Sequence, residues 1–264
     1  METLTKQTLF MLSIVIRGKI FPNITQKVVD SIRSWHQGEL ILSTWNNQEV
    51  NLTGIDTIIL SDDPGSGPVQ QANRQLLSYL RGLQACSNDL VLVTRSDIIH
   101  NSDIQKFFYN KDDRLEKFSI FKEKVVVSNM MTINPLKSHP DVPTFISKLF
   151  RVCDWFQLGL KEDLFKWVDA LDTFETYKNS GLCTEQLWFT SLIKKYKDSS
   201  FPIENIVERS KEVLPYIISN FRIIDMKSTG NAINLNWVNQ PEYLGCYFTE
   251  KEYNEYCSSI NRIH

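Results

Sequence analysis

The chain has 264 residues, 29 Lys and Arg against 31 Asp and Glu, and a formal net charge of -2. Hydrophobic residues at 42% and charged residues at 23% match a globular domain able to bury a large core, which excludes disorder; 10 Gly and 9 Pro exclude collagen-like and low-complexity chains. Near-neutrality provides no global basic field, so nucleic acid is not an expected partner.

The first residues are polar, and the largely apolar run 9–16 leads into Arg17-Gly18-Lys19 with no small-residue cleavage site. It reads as a buried first strand at 11–17, not as a secretion signal. No stretch reaches the ~20 apolar residues that span a bilayer. Asn23, with Gln26 three residues on, reads as a helix N-cap; Ile24, Val28, Ile32 and Trp35 then follow the helical period. Strands are expected at 39–45 and 57–61. Asp62-Asp63-Pro64-Gly65-Ser66-Gly67 is a turn signal, and the next helix carries Val69, Ala72, Leu76, Leu80 and Leu83 on one face. A short buried strand follows at 89–94. The order β-α-β-β-α-β, with apolar runs rather than alternation, predicts a Rossmann-type α/β fold: a mainly parallel sheet with helices on both faces.

The second half is less regular. One or two strands are expected within 118–128, and helices at 142–150 and 162–171. Thr184 reads as the N-cap of a helix bearing Trp188, Phe189, Leu192 and Ile193. Residues 216–224 alternate in part and read as a strand, and a short helix is expected at 250–258. With no repeats and no long linkers, the chain reads as one domain over 1–264 with an irregular α+β C-terminal half. The five Cys are odd in number and form no Cys-x-x-Cys pair, which argues against a disulfide framework or zinc and for a reducing cytoplasm. His36, His100, His139 and His264 lack ligand spacing.

In open α/β sheets ligands bind beyond the carboxyl ends of the strands. Four expected strands end in polar residues: Arg17-Gly18, Ser43-Thr44-Trp45, Ser61-Asp62-Asp63 and Thr94-Arg95-Ser96-Asp97. If the strands are parallel, these ends form one rim of hydroxyls, carboxylates and two arginines, a set suited to a nucleoside diphosphate. The Gly-x-Gly-x-x-Gly fingerprint, the Gly-x-x-x-x-Gly-Lys-Ser/Thr phosphate loop and Gly-x-Ser-x-Gly are all absent. Asp97 is placed either to hold a divalent cation bridging two phosphates or merely to cap the next turn. Arg95, where such sites usually carry a first carboxylate, is suited to pair with phosphate itself.

The succession Thr44-Trp45, Asp63-Pro64-Gly65, Asn73-Arg74-Gln75 and Arg95-Ser96-Asp97 resembles the WavE family of lipopolysaccharide-synthesis proteins. The likeness continues through Cys153-Asp154-Trp155-Phe156-Gln157-Leu158-Gly159, Glu162-Asp163-Leu164, Thr184-Glu185-Gln186-Leu187-Trp188 and Ser219-Asn220-Phe221. The resemblance implies a glycosyltransferase of GT-A-type fold, moving a sugar from a nucleotide-sugar donor to a growing surface polysaccharide or lipopolysaccharide, capsular chains included. It also implies a cytoplasmic site of action, peripheral to the inner face of the plasma membrane where lipid-linked acceptors lie. Residues 1–130 would form the nucleotide-sugar-binding half and 131–264 the acceptor-binding half. Arg-Ser-Asp stands where such folds carry Asp-x-Asp, so Mn²⁺ or Mg²⁺ on Asp97 would find one carboxylate instead of two.

On this reading Arg17, Thr44 and Asp63 contact base, ribose or phosphate. Asn73 and Arg74 lie in a helix first turn, where backbone donors also favour anions. Asp154, beside Trp155 and Phe156, is the first choice for the base that deprotonates the acceptor, its pKa raised by apolar neighbours; Glu185 is the second. Trp155 would stack on an acceptor sugar. Trp45 and Trp155 thus lie inside site motifs, whereas Trp35, Trp167 and Trp188 fall at helical core spacing. Two other readings stand beside this one. The first is a non-catalytic nucleotide- or carbohydrate-binding protein with a degenerate transferase fold. The second is a nucleotidyltransferase, whose Gly-rich or paired-carboxylate signature is absent.

Overall fold

In the computed structural model, described for residues 11–66, 71–108, 114–129, 132–137, 151–170, 183–201, 210–226, 230–232 and 247–260, the chain builds a seven-stranded sheet. Its strands are β1 (Leu12–Arg17), β2 (Leu40–Trp45), β3 (Thr57–Ser61), β4 (Leu90–Arg95), β6 (Val125–Ser128), β7 (Phe156–Leu160) and β8 (Phe221–Ile224), in the order β3-β2-β1-β4-β7-β6-β8. The pairs β3-β2, β2-β1, β1-β4 and β6-β8 are parallel. Only β7 runs against its neighbours. The mainly parallel α/β sheet expected from the apolar runs is present, and it takes strands from both sides of residue 130. Two short strands, β5 (Ile98–His100) and β9 (Gly230–Ala232), pair antiparallel beside it.

Period-2 alternation divides the sheet into two cores. Ile14, Ile16, Leu40, Leu42 and Leu92 join Val28, Val29 and Ile32 of α1 (Thr25–Arg33) on one face. Val15, Ile41, Val91 and Val93 meet Tyr79 and Leu83 of α2 (Ala72–Ala85) on the other. That second core extends through Leu164 and Trp167 of α3 (Lys161–Asp169) and Leu187, Trp188 and Phe189 of α4 (Thr184–Tyr196). It reaches Ile217 of α5 (Leu214–Asn220) and Tyr253 of α6 (Glu250–Ile260). Each Val, Ile, Leu or Phe so enclosed contributes about 1.5–3 kcal/mol. Burial on both faces explains why β1 and β2 are enclosed at every position and apolar except at Ser13, Arg17, Ser43 and Thr44.

Several local expectations shift for identifiable reasons. Asn23 does not cap α1: it sits at φ 63°, a left-handed turn position that Asn tolerates, and the helix starts at Thr25. Thr25 Oγ1 instead accepts the Phe21 N–H at 2.9 Å and donates to the Ser96 carbonyl at 3.2 Å. In α4 the cap is Cys183, one residue before Thr184, and its N–H donates to Gln186 Oε1 at 2.9 Å. Within 118–128 only Val125–Ser128 is a strand. The N–H groups of Ile120 and Phe121 are taken by Asn220 Oδ1, and those of Lys122 and Glu123 by the Asp163 carboxylate, so side chains replace a ladder there. The first part of 216–224 is the helix α5, opened by Pro215, and only its end is strand. The helix expected at 142–150 lies outside the described residues, as does Val69.

The α2 face rests so close to the sheet that a Cβ on Gly82 would lie 2.3 Å from Val15 Cγ1 and 3.4 Å from Ser43 Cβ. Alanine gains ~1 kcal/mol over glycine inside a helix, but here the clash is with rigid β-branched core. Gly82→Ala is therefore expected to destabilise the fold by about 1–2 kcal/mol net in urea melts. An unchanged or raised midpoint would show that the helix can move away from the sheet without loss.

Candidate functional site

The carboxyl ends of β1, β2, β3 and β4 lie on one rim, as the parallel register requires. A cleft of about 480 Å³ opens there, within the range of small-molecule sites. Arg17, Asp63, Arg74, Arg95, Asp97 and Asp154 all line it, together with Lys19, Trp45 and Gln75. Arg17 and Arg95 are register partners across β1 and β4, so both guanidinium side chains rise from the α2 face side by side.

Each arginine of the cleft is tied to a carboxylate. Arg17 donates from one terminal nitrogen to Asp154 Oδ2 and to the Asp154 carbonyl, each at 2.8 Å, and both side chains are only 3% exposed. Arg95 forks onto Asp97, Nε to Oδ1 at 2.9 Å and a terminal nitrogen to Oδ2 at 2.7 Å. Arg74 forks onto Asp63 at 2.7 and 2.6 Å. Aromatic rings back two of them: Arg17 lies 5.5 Å from the Tyr79 centroid and Arg95 5.9 Å from that of Trp155. Tyr79 is itself fixed by its hydroxyl, which donates to Gln157 Oε1 on β7 at 2.5 Å. Two buried polar atoms of cleft-lining side chains, Arg17 Nε and Gln75 Oε1, have no hydrogen-bond partner among the described residues. Such atoms are costly unless something pairs with them.

The electrostatics run against the expectation for Asp154. Burial pushes its pKa up, but the charges of Arg17, Arg95 and Arg151 and the hydrogen bond from Arg17 outweigh burial and hold it below the ordinary carboxylate value. Its sequence neighbours are apolar; its spatial neighbours are three guanidinium groups. For Arg95, burial works against the charge, but the hydrogen bonds and charge of Asp97, then Asp154, hold it protonated. The hydrogen bonds from Arg74 likewise lower the pKa of Asp63.

Four expected site residues lie away from the cleft lining. Thr44 alternates onto the α1 face of β2, fully buried, while its neighbour Trp45 faces the cleft. Asn73 points off the cleft side of α2, where Gln71, Arg74, Gln75 and Ser78 recur at the three-to-four spacing that marks one helix face. Trp155 is 2% exposed beneath Arg95 and offers no open ring to a sugar. Glu185 is buried in α4 against Arg151, whose guanidinium is its ion-pair partner. Gln71, Gln75 and Ser78 were absent from the expected set, although that helical spacing beside Arg74 could have found them.

A family model described as WavE lipopolysaccharide synthesis matches residues 12–258. The chain belongs to this family. The short motifs from Thr44-Trp45 to Ser219-Asn220-Phe221 therefore sit within a match that spans nearly the whole WavE chain. No curated protein matches it. Among solved structures it is similar to glucosyl-3-phosphoglycerate synthase from Mycobacterium tuberculosis in complex with Mn²⁺, UDP and phosphoglyceric acid. That match has 15% identity and a TM-score of 0.37 over 66% of each chain. The same synthase with Mg²⁺ and UDP gives 15% identity and a TM-score of 0.36 over 66% of this chain and 67% of that one. The glycosyltransferase GlyE of Streptococcus pneumoniae TIGR4 gives 12% identity and a TM-score of 0.39 over 71% of this chain. The match spans just under two thirds of the first synthase chain and 44% of GlyE.

Asp97 is the residue that the resemblance would give to a divalent cation. Both its oxygens are taken by Arg95, while Asp63 and Asp154 are taken by Arg74 and Arg17. Among the described residues no group of three or more His, Cys, Asp or Glu side chains is gathered to hold a metal. As arranged, the cleft carboxylates do not form a ready-made cation site, because each is already paired with an arginine whose charge a cation would have to meet.

The depressed pKa of Asp154 has a consequence for acid stability. A carboxylate held below its unfolded value contributes stability that is complete above that value and is lost as pH falls through the folded one. Asp154→Asn is expected to cost about 3 kcal/mol at pH 7, because Arg17 is left without its charge partner. The gap between wild type and variant in urea melts should narrow as the pH falls below the ordinary carboxylate range. A gap that widens on acidification would show that Asp154 is held protonated.

Proposed function

We propose that this chain is a glycosyltransferase whose cleft binds a nucleotide-sugar donor, with a surface polysaccharide or lipopolysaccharide as acceptor. The observation that carries this reading is the cleft itself: Arg17, Lys19, Arg74 and Arg95 converge at the ends of four parallel strands. Three carboxylates, Asp63, Asp97 and Asp154, orient the arginines and leave the lining one charge positive. Such a set suits a diphosphate, which arginine recognises through its planar fork of donors. Trp45 supplies an aromatic wall at the same rim. Membership of a lipopolysaccharide-synthesis family supports the choice of acceptor. We place the reaction at the inner face of the plasma membrane, where a lipid-linked acceptor is met by peripheral association; no described helix is long and apolar enough to cross a membrane.

Within this reading Asp154 acts through Arg17. A general base works best with a pKa near the operating pH, and Asp154 is held away from it in the wrong direction. The paired state of every cleft carboxylate also favours the second reading, nucleotide-sugar binding without transfer. Slow hydrolysis of a UDP-sugar by the wild type, lost in Asp97→Ala, would decide for transfer; its absence would decide for binding alone.

Thermal shift against UDP, GDP and their sugars tests the donor site directly. At a ligand concentration of 100 Kd, mass action adds ~2.7 kcal/mol. For a domain of this size that raises Tm by about 5–10 °C. Arg74→Ala, which removes a half-exposed cleft cation, should shrink the shift. A Tm that none of these ligands moves would sink the donor assignment.

A further inference from the structure

We propose that the donor diphosphate is held by the Arg17–Arg95 pair in place of a divalent cation, so that nucleotide binding by this chain is independent of metal. The proposal rests on the donor-site reading above and adds the nature of the counter-charge.

Arg95 and Asp97 stand at the end of β4 on the cleft lining, in the segment where the resemblance would place two carboxylates for a metal. The first position carries the cation covalently, and that cation has already claimed the second. Asp97 takes two of the five N–H bonds of Arg95, and the remaining three have no partner among the described residues. Arg17 stands beside it in register, and its Nε is buried without a partner. Each guanidinium is held twice over: Arg17 by Asp154 and the Tyr79 ring, Arg95 by Asp97 and the Trp155 ring. Carboxylate and aromatic together fix the plane of each fork before an anion arrives, which lowers the ordering cost of binding. A divalent cation entering this site would have to displace Arg95 from Asp97 and then share a small space with two guanidinium charges. A phosphate oxygen entering it meets a partly exposed Arg95 whose donors are only partly used.

Isothermal titration of UDP into the full chain, once in EDTA and once in Mn²⁺, tests the proposal on the wild type without any mutation. Affinities within about twofold of each other support it. A loss of tenfold or more in EDTA overturns it while leaving the donor site standing. No binding in either condition, by GDP as well as by UDP, overturns both. Arg95→Lys and Arg95→Asp, each checked for an intact fold by circular dichroism, add a second readout. Lysine keeps the charge but not the fork, and binding should weaken severalfold without acquiring metal dependence. Arg95→Asp should bind UDP at least tenfold more weakly in EDTA and recover on addition of Mn²⁺. If Arg95→Asp binds UDP in EDTA as tightly as wild type does, Arg95 is not the counter-charge.

Discussion

A buried arginine at the end of the first strand imposes the constraint on which the site depends. Arg17 is enclosed, and an enclosed guanidinium must be paired or the fold loses several kcal/mol. Its partner, Asp154, comes from 137 residues away, from the turn that leads into β7. The pair therefore joins the parallel half of the sheet to its one reversed strand, and it does so in the lining of the cleft. Two further contacts reinforce the junction. Tyr79 carries the Arg17 guanidinium on its ring and bonds Gln157 on β7, while the Arg95 N–H donates to the Trp155 carbonyl at 3.0 Å. The same atoms that close the sheet thus set the position of the cleft cations. On the proposed reading, stability and donor binding share them, and a change that weakens one is felt in the other.

How much of this was legible in the sequence follows from which interactions are local. The strands β1 to β4 and the helices between them are written in apolar runs and helical spacing, and they lie within a residue or two of where periodicity puts them. Parallel register then follows, and with it the rim that gathers Arg17, Asp63, Arg95 and Asp97. Thr44 could also have been resolved by counting: it alternates with Ser43 and Trp45, and only the latter pair shares the face that α2 covers. The environment of Asp154 could not be read this way. Trp155 and Phe156 beside it are apolar, yet three arginines from distant segments decide its protonation. The reversed direction of β7 is equally hidden, since Phe156–Leu160 is a short apolar run whose orientation is fixed by pairing with β4 and β6. The Asn220 and Asp163 side chains that replace a ladder along 120–123 belong to the same class: long-range side-chain pairing that no local pattern announces.

The charge distribution bears on what kind of chemistry the cleft can host. The chain as a whole is near neutral, and even inside the cleft cations outnumber carboxylates only by one. What distinguishes the site is geometry: three ion pairs arranged so that the carboxylates serve as anchors and the guanidinium groups face a shared space. Asp63 and Asp154 are poor proton acceptors, because the arginines that they orient also hold their proton affinity down. An inverting transfer, which needs a base, would have to draw it from a residue not yet committed to an arginine, and Glu185, paired with Arg151, is no freer than Asp154. A retaining transfer makes no such demand, since a departing diphosphate oxygen can itself receive the acceptor proton. The leaving group would then depart onto Arg17 and Arg95, whose donors are fixed before the charge develops, the condition under which electrostatic stabilisation is most effective. A cleft built from anchored guanidinium groups is therefore better matched to assisting departure of a diphosphate than to activating a nucleophile.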